Sequence, residues 1–280
     1  CCSKVVLSGA TPYVGDLRAG TGLRSFAAGA DVLYHCAAEL HNPYIMDDVN
    51  ARGTERLLTA AQDNVGLWVQ LSSTGVYGPL RSGVVDEERV LAPANPYERS
   101  KADADELVQA AAGTGLNCVL LRPSNIYGPG MPNQSLFQLI RMIDMGLFCH
   151  IGSGGAVANY IHVSNVVDAL VLCAGCSLPK AGRVYIVSDS CPMEQFVEYI
   201  AEALGRKAPR CCLPEWPVRM LARIGGRLPG FPLRESRIDA LTNAVRYVSS
   251  RIECELGHRN RVSLQDGIVG MVEAWKNVRN

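Results

Sequence analysis

The 280-residue sequence has no excess charge of either sign, because 27 Lys and Arg residues offset 27 Asp and Glu. Without a net field, the chain is expected to gather neither nucleic acid nor anionic lipid. Charge is scarce altogether, at 19% against 48% hydrophobic residues, which disfavours disorder and a polyelectrolyte arm. No apolar run approaches the roughly 18 residues of a membrane span, so no membrane partner is expected. The opening CCSKVVLSGA lacks the charged region, long apolar region and cleavage site of a secretory leader, and a cytoplasmic location is expected. There is no internal repeat and no low-complexity tract. Eleven cysteines, an odd number, are scattered through the chain, with Cys118 and Cys173 inside apolar runs, which suits reduced buried thiols better than a disulfide framework. The CxxC at Cys173–Cys176 has helical surroundings, no second pair and no nearby histidine. It reads as core packing, and no metal site is expected.

The length corresponds to about two domains of ~150 residues, or one with an appended lobe. Lys4–Ser8, Asp31–His35, Leu67–Ser72 and Asn117–Arg122 are short apolar segments bounded by glycine or polar residues, the pattern of strands covered on both faces. Helical patterns lie between them, over Asn50–Gln62 and Pro96–Ala112. Strands alternating with helices predict an α/β fold, a parallel sheet wound by right-handed crossovers with its chemistry at the strands' carboxyl ends. Past Gly130 the punctuation changes, and Pro and Gly crowd residues 209–232 around short helical pieces such as Met193–Leu204. This predicts a smaller second lobe. Asn159–Cys173 reads as a strand and helix returning to the main sheet.

Tyr97-Glu98-Arg99-Ser100-Lys101 opens a helix behind Asn95-Pro96, and the four-residue spacing puts Tyr97 and Lys101 on one face. A phenol of pKa ~10 is a poor base at neutral pH, but a neighbouring ammonium favours its phenolate. Such a pair makes a proton acceptor and donor. Alone, this spacing is common in exposed helices, and context gives it weight. Leu71-Ser72-Ser73-Thr74-Gly75 ends an apolar strand in a hydroxyl cluster, and Leu121-Arg122-Pro123-Ser124-Asn125 ends another in a polar loop. Both strand ends lie where a parallel sheet builds its site.

In these motifs, taken in order, the chain resembles the extended short-chain dehydrogenase/reductases, the NAD-dependent epimerase/dehydratase family. The likeness runs from Val5-Val6-Leu7-Ser8-Gly9-Ala10 to Val262-Ser263-Leu264-Gln265-Asp266-Gly267. It implies a Rossmann-like, doubly wound parallel sheet with a smaller C-terminal substrate lobe. The dinucleotide-binding domain would span residues 1–129 with 158–185 returning to it, and the lobe 130–157 and 186–280. By this resemblance Ser73 is the catalytic hydroxyl, Tyr97 the general acid/base, and Lys101 the residue that orients the nicotinamide ribose and tunes Tyr97. The implied cofactor is NAD, with NADP not excluded. Its contacts would be Gly9 and Gly15 of a glycine loop, Asp16 and Leu17 at the adenine, Cys36, Ala37 and Ala38 in the turn beneath, and Ser72. Asn50 is implied as a structural asparagine of the cofactor site, and Pro123 as packing against the nicotinamide. Ser73, Thr74 and Asn125 would meet a small-molecule substrate, for which a nucleotide-sugar is the first expectation and a hydroxysteroid- or flavanol-type ketone or alcohol the alternative. A dinucleotide-binding sensor without chemistry is the contrasting class, and the presence of all three of Ser73, Tyr97 and Lys101 argues against it. A homodimer is implied through the helices near Asn50 and Pro96, with Ala102, Ala104 and Ala110 to Ala112 allowing close packing.

The cofactor end departs from the family pattern. Pro12 occupies the middle position of Gly9-Ala10-Thr11-Pro12-Tyr13-Val14-Gly15, and Gly15-Asp16-Leu17-Arg18 resembles a segment from well beyond the first helix. A βαβ unit takes roughly 30 residues, and none separate these motifs. Omission from the sequence is favoured over loss from the fold, since losing the first crossover helix would remove the phosphate-binding N-terminus. The residue that selects NAD or NADP is therefore not visible. Thr74 and Gly75 stand where dehydratases carry an acidic pair, so dehydration is not expected. Ala158 replaces an arginine that often grips a diphosphate, leaving Arg219, Arg223 and Arg227 as a row of alternative cations or a solvated face. His162 is expected to be a buried strand-end residue.

Overall fold

The computed structural model describes residues 9–62, 64–131, 134–175, 181–225 and 235–279. The predicted strand Lys4–Ser8 lies outside them. From the first described residues the chain reaches a short helix α1 (Leu23–Ala27) and strand β1 (Ala30–His35). Between Ala10 and Gly22 the described residues form no crossover helix, only an isolated bridge between Asp16 and Thr21. A π-helical turn (Asp47–Ala51) runs into α2 (Arg52–Ala61), followed by β2 (Val65–Leu71), a 3-10 turn (Thr74–Tyr77) and β3 (Ser82–Val85). Next come α3 (Pro96–Gly113), β4 (Cys118–Pro123), β5 (Asn125–Tyr127), α4 (Gln134–Asp144), β6 (His150–Ile151), β7 (Val157–His162) and α5 (Val163–Gly175). The C-terminal third holds β8 (Ala181–Val187), β9 (Asp189–Pro192), α6 (Met193–Leu204), β10 (Cys212–Leu213), α7 (Glu215–Gly225), α8 (Glu235–Thr242), β11 (Ala244–Tyr247), α9 (Ser250–Leu256) and α10 (Leu264–Arg279).

The main sheet has the order β1-β2-β4-β8, with every pair parallel. Because side chains alternate across a strand, its two faces feed separate cores. Leu67, Val69, Val119, Leu121, Tyr185 and Val187 meet Val166, Ala169, Leu170 and Cys173 of α5 on one face. Trp68, Cys118, Leu120 and Val184 meet α1, α2 and Val108 of α3 on the other. This explains the near-continuous apolar strands. It also disposes of the CxxC, since Cys173 is a core residue and Cys176 lies outside the described residues.

One expectation changes. Val157–His162 does not return to the main sheet; it pairs parallel with β5 and antiparallel with β9 in a separate three-stranded sheet. The chain leaves the main sheet after Pro123, and β5 supplies the edge that β7 takes. The strand that returns is β8, while α5, as expected, covers the main sheet. Around the three-stranded sheet, α4, α6 and α10 bury a third core centred on Leu136, Phe196, Ile200 and Ile268. A second correction concerns the expected dimer face. Ala102 and Ala104 are buried in the chain's own interior, and of the small residues named only Ala110 is exposed.

Candidate active site

The helix that carries Tyr97 and Lys101 begins where local chemistry requires. Asn95 Oδ1 accepts the Glu98 amide at 2.9 Å and Glu98 Oε2 accepts the Asn95 amide at 3.3 Å, a reciprocal cap with Pro96 at the first helical position. This fixes the helix phase and turns Lys101 inward, where it is 4% exposed. Its Nζ donates to the Leu71 carbonyl at 2.5 Å, at the last residue of β2. One residue further, Ser72 is held by its amide to Leu121 (2.8 Å) and by Oγ to Asp105 Oδ2 (2.8 Å). Ser73 then caps the 3-10 turn, Oγ accepting the Gly75 amide at 3.1 Å, and shares a side-chain hydrogen bond with Tyr97. Thr74 is buried and hydrogen-bonded through its side chain to Tyr247. The turn closes at Gly78, whose φ is +76° and where a Cβ would stand 1.9 Å from the Ala92 carbonyl oxygen. Only glycine fits there.

Beneath these groups lies a polar network that sequence reasoning did not single out. Asp105, four residues beyond Lys101, is fully buried and accepts Arg122 Nε at 3.0 Å, while Arg122 Nη1 donates to the Tyr77 hydroxyl at 2.9 Å. Asp105 Oδ1 has no hydrogen-bond partner. Its signals were an aspartate at helical spacing from Lys101 and an arginine inside an apolar strand, a combination that calls for a buried pair. Burial pushes the Asp105 carboxyl up, against the pull of Arg122, the Ser72 bond and Lys101. Burial likewise raises the Tyr97 phenol; the Ser73 bond opposes this and the Asp105 charge adds to it. The expected lowering of Tyr97 by Lys101 is therefore not found, because burial and the Asp105 charge outweigh the opposing Ser73 bond. Burial lowers Lys101 itself, while Asp105 and Cys36 hold it up.

The cofactor candidates divide. A cavity of about 420 Å³ is lined by Gly15, Leu17, Cys36, Ala37, Ala38 and Glu39, among others, beyond the carboxyl end of β1. Its apolar lining and position fit the adenosine half of a dinucleotide, and Cys36 lies within electrostatic reach of Lys101. Asp16 does not line it, and its carboxylate instead accepts the Arg18 amide at 2.8 Å. Gly9 has φ +81° and open space around it, and the glycine segment leads into no helix longer than the five residues of α1. Asn50 lies under the turn rather than in the cavity: it accepts the Glu39 amide at 2.7 Å and donates to the Glu39 carbonyl and to Ser100 Oγ, both at 3.0 Å. It thus ties the cofactor turn to α3. Pro123 ends β4, and Asn125 Nδ2 donates to the Asn159 carbonyl at 3.1 Å.

The remaining candidates have structural partners. His162 Nδ1 accepts the Ser164 amide at 3.3 Å, and its ring packs edge-on to Tyr127. Arg219 pairs with Glu215 and Asp239, and Arg223 with Glu235; Arg227 lies outside the described residues. No group of three or more His, Cys, Asp or Glu among the described residues could hold a metal ion.

Residues 4–187 match the model of the NAD dependent epimerase/dehydratase family. The chain belongs to that family. A ketoreductase of Stigmatella aurantiaca, acting on 4-hydroxy-2-methyl-3-oxo-4-farnesyl-3,4-dihydroquinoline-1-oxide, is 31% identical across 97% of this chain and 85% of its own length. A UDP-glucose 4-epimerase of Vibrio cholerae is 28% identical across 95% and 83%. Among solved structures, the dTDP-glucose 4,6-dehydratase of Streptomyces venezuelae, with NAD and TYD bound, superposes with a TM-score of 0.69 at 27% identity over 95% of this chain and 79% of that one. Reduction, epimerisation and dehydration all occur among these family relatives, so membership alone does not separate them. Among the described residues no helix is long and apolar enough to cross a membrane.

Proposed function

We propose that this family member is an NAD(P)-dependent oxidoreductase that interconverts a secondary alcohol and a ketone on a largely apolar substrate. The observation that carries the reading is the hydrogen-bonded Ser73–Tyr97 pair at the carboxyl end of β2, with Lys101 buried beside it. The dinucleotide would be held by the Leu17 and Cys36–Ala38 cavity and by Lys101, and when bound it supplies the acceptor or donor of hydride. In oxidation, Tyr97 Oη takes the proton of the substrate hydroxyl. In reduction, it returns that proton to the ketone oxygen, and Ser73 Oγ bonds the same oxygen throughout. Lys101 brings positive charge towards the ribose side of the site, and Asp105 and Arg122 keep Ser72 and Lys101 in place from below.

The cations available bear on the substrate class. A cavity of about 280 Å³ in the C-terminal lobe is lined, among the described residues, by Phe148, Ile151, Ala156, Met193 and Leu241 with His150, Glu194 and Cys212 and by none of Ser73, Thr74, Tyr97 and Asn125, so it is not read as the substrate site. A diphosphate favours cationic partners, whereas here Ala158 is buried in β7 and Arg219 and Arg223 are engaged in ion pairs. Thr74 and Gly75 argue against dehydration, and the nearby Glu98 spends its carboxylate on the helix cap. Nucleotide-sugar epimerisation is the second reading, favoured by the Vibrio relative. The test is cofactor absorbance with NADH and NADPH against a panel of apolar ketones and UDP-glucose, in the wild type and Tyr97→Phe. We expect net oxidation of the cofactor with a ketone and a loss of at least about 100-fold in kcat for the variant. Full activity in Tyr97→Phe refutes the mechanism, and turnover of UDP-glucose without net redox selects the epimerase.

A further inference from the structure

Outside the Tyr97 site, the described residues bring two thiols together where the lobe is joined by its smallest sheet. Strands β6 and β10 run parallel, with His150 opposite Cys212 and Ile151 opposite Leu213. The His150 amide donates to the Cys211 carbonyl at 2.8 Å. Stepping the register back one residue sets Cys149 beside Cys211, and the two thiols share a side-chain hydrogen bond. Side chains alternate along a strand, so His150 and Cys212 point to the opposite face, where both line the lobe cavity. Cys212 is committed there, with Sγ donating to the Gly152 carbonyl at 2.9 Å.

We propose that Cys149 and Cys211 form a reversible redox site, closing to a disulfide that clamps β6 to β10 behind the wall of the lobe cavity. Neighbouring strands lie about 4.8 Å apart, within the Cα separation a disulfide spans, and closure needs the Cβ atoms to draw in to about 3.8 Å. That inward pull acts on the strand pair whose other face holds His150 and Cys212. Both thiols are free, Cys211 is exposed and Cys149 half-buried. The bond to Cys211, with burial and the nearby Cys211 and Cys212 adding to it, pushes the Cys149 thiol up to about 11. Cys211, the more exposed of the two, meets the oxidant first and is the attacking sulfur, with Cys149 the resolving one.

With hydrogen peroxide as oxidant, Cys211 gives up its proton and its sulfur attacks one peroxide oxygen; the O–O bond breaks, Cys211 becomes a sulfenic acid, and the departing hydroxide takes that proton and leaves as the first water. The Cys149 sulfur then displaces the hydroxyl as the second water, forming the Sγ–Sγ bond. Overall, two thiols and hydrogen peroxide give one disulfide and two waters, and a dithiol reduces the disulfide back to the two thiols while becoming a disulfide itself.

The experiment is stoichiometric hydrogen peroxide treatment of the whole chain, then alkylation, proteolysis and mass spectrometry of the peptides. We expect a cross-linked pair holding Cys149 and Cys211, lighter than the two free peptides by two hydrogens, and restored by dithiothreitol. Cys149→Ser and Cys211→Ser should each abolish it, with Cys211 trapped as a sulfenic acid in Cys149→Ser, whereas Cys212→Ser should retain it. A Cys211–Cys212 bond, or alkylation of both Cys149 and Cys211 after peroxide, overturns the proposal. Because the readout is covalent and independent of turnover, it is decided separately from the oxidoreductase reading.

Discussion

Replacing Asp105 tests whether the network under the active site is a true buried ion pair. Arg122 is 3% exposed and Asp105 is fully buried, at 3.0 Å from each other. Asp105→Leu removes the carboxylate and leaves the guanidinium in the interior with the Tyr77 hydroxyl as its one remaining side-chain partner. Removing one partner of such a pair costs about 3–5 kcal/mol. At about 2 °C per kcal/mol for a chain of this size, Tm should fall by roughly 6–10 °C. Arg122→Met should cost a similar amount by stranding Asp105. Since Oδ1 of Asp105 already lacks a partner, the native pair is incompletely compensated. The double variant Asp105→Leu/Arg122→Met, apolar on both sides, should therefore regain most of the loss and leave a coupling of about 2 kcal/mol or more. Urea unfolding of the four proteins measures the cycle. If the single losses add to within about 0.5 kcal/mol, the two groups do not act as a pair and the reasoning fails.

Three further outcomes follow from the same structure. Because Tyr97 is raised by burial and by Asp105, it stays protonated through neutral pH; initial-rate profiles should show kcat/KM flat to neutral for ketone reduction and climbing into the alkaline range for alcohol oxidation. A reduction rate falling already between pH 6 and 8 would contradict this. His35 is 3% exposed, its pKa is lowered to about 3 first by burial and then by Lys101, and its Nε2 lies 2.9 Å from Thr54 Oγ1, whose own proton goes to the Asn50 carbonyl. The ring is thus neutral with its proton on Nε2. The unfolded chain binds a proton below pH ~6.5 that the native chain refuses, so stability is full above that value and falls by up to about 1.4 kcal/mol per pH unit towards pH 3; denaturant titrations should show a shallower decline in His35→Gln, and an unchanged slope would exclude His35 as its source. Gly78→Ala places a Cβ against the Ala92 oxygen at a positive φ and should cost about 2 kcal/mol or more. Calorimetry showing no loss would mean that this turn is not held as described.

How much of the site was legible depended on how local its geometry is. Tyr97 and Lys101 share a face because a helix repeats every 3.6 residues, and Asn95-Pro96 with Glu98 announced the helix start. Ser72 and Ser73 end an apolar strand, and parallel sheets work at that end. Asp105 and Arg122 escaped notice as a pair because 17 positions separate them, and only the docking of α3 on β4 brings them together. Asn50 was named as a structural asparagine of the cofactor site, and its particular partners, the turn after β1 and Ser100, came only with the structure.

By itself, then, the sequence determined the strands β1, β2 and β4, the helices α3 and α6, and the residues able to carry proton transfer, since alternation, helical period and capping act over neighbouring positions. Tertiary structure alone decided the rest. Val157–His162 joined β5 and β9 instead of the main sheet, because a strand's partner is set by which edge is free. Ala102 and Ala104 turned inward rather than towards a second copy, because α3 has one face to bury. The ionisation of Tyr97 moved up rather than down, because a pKa answers to every charge and every desolvated contact around it, and here burial and the Asp105 charge prevail over the Ser73 bond.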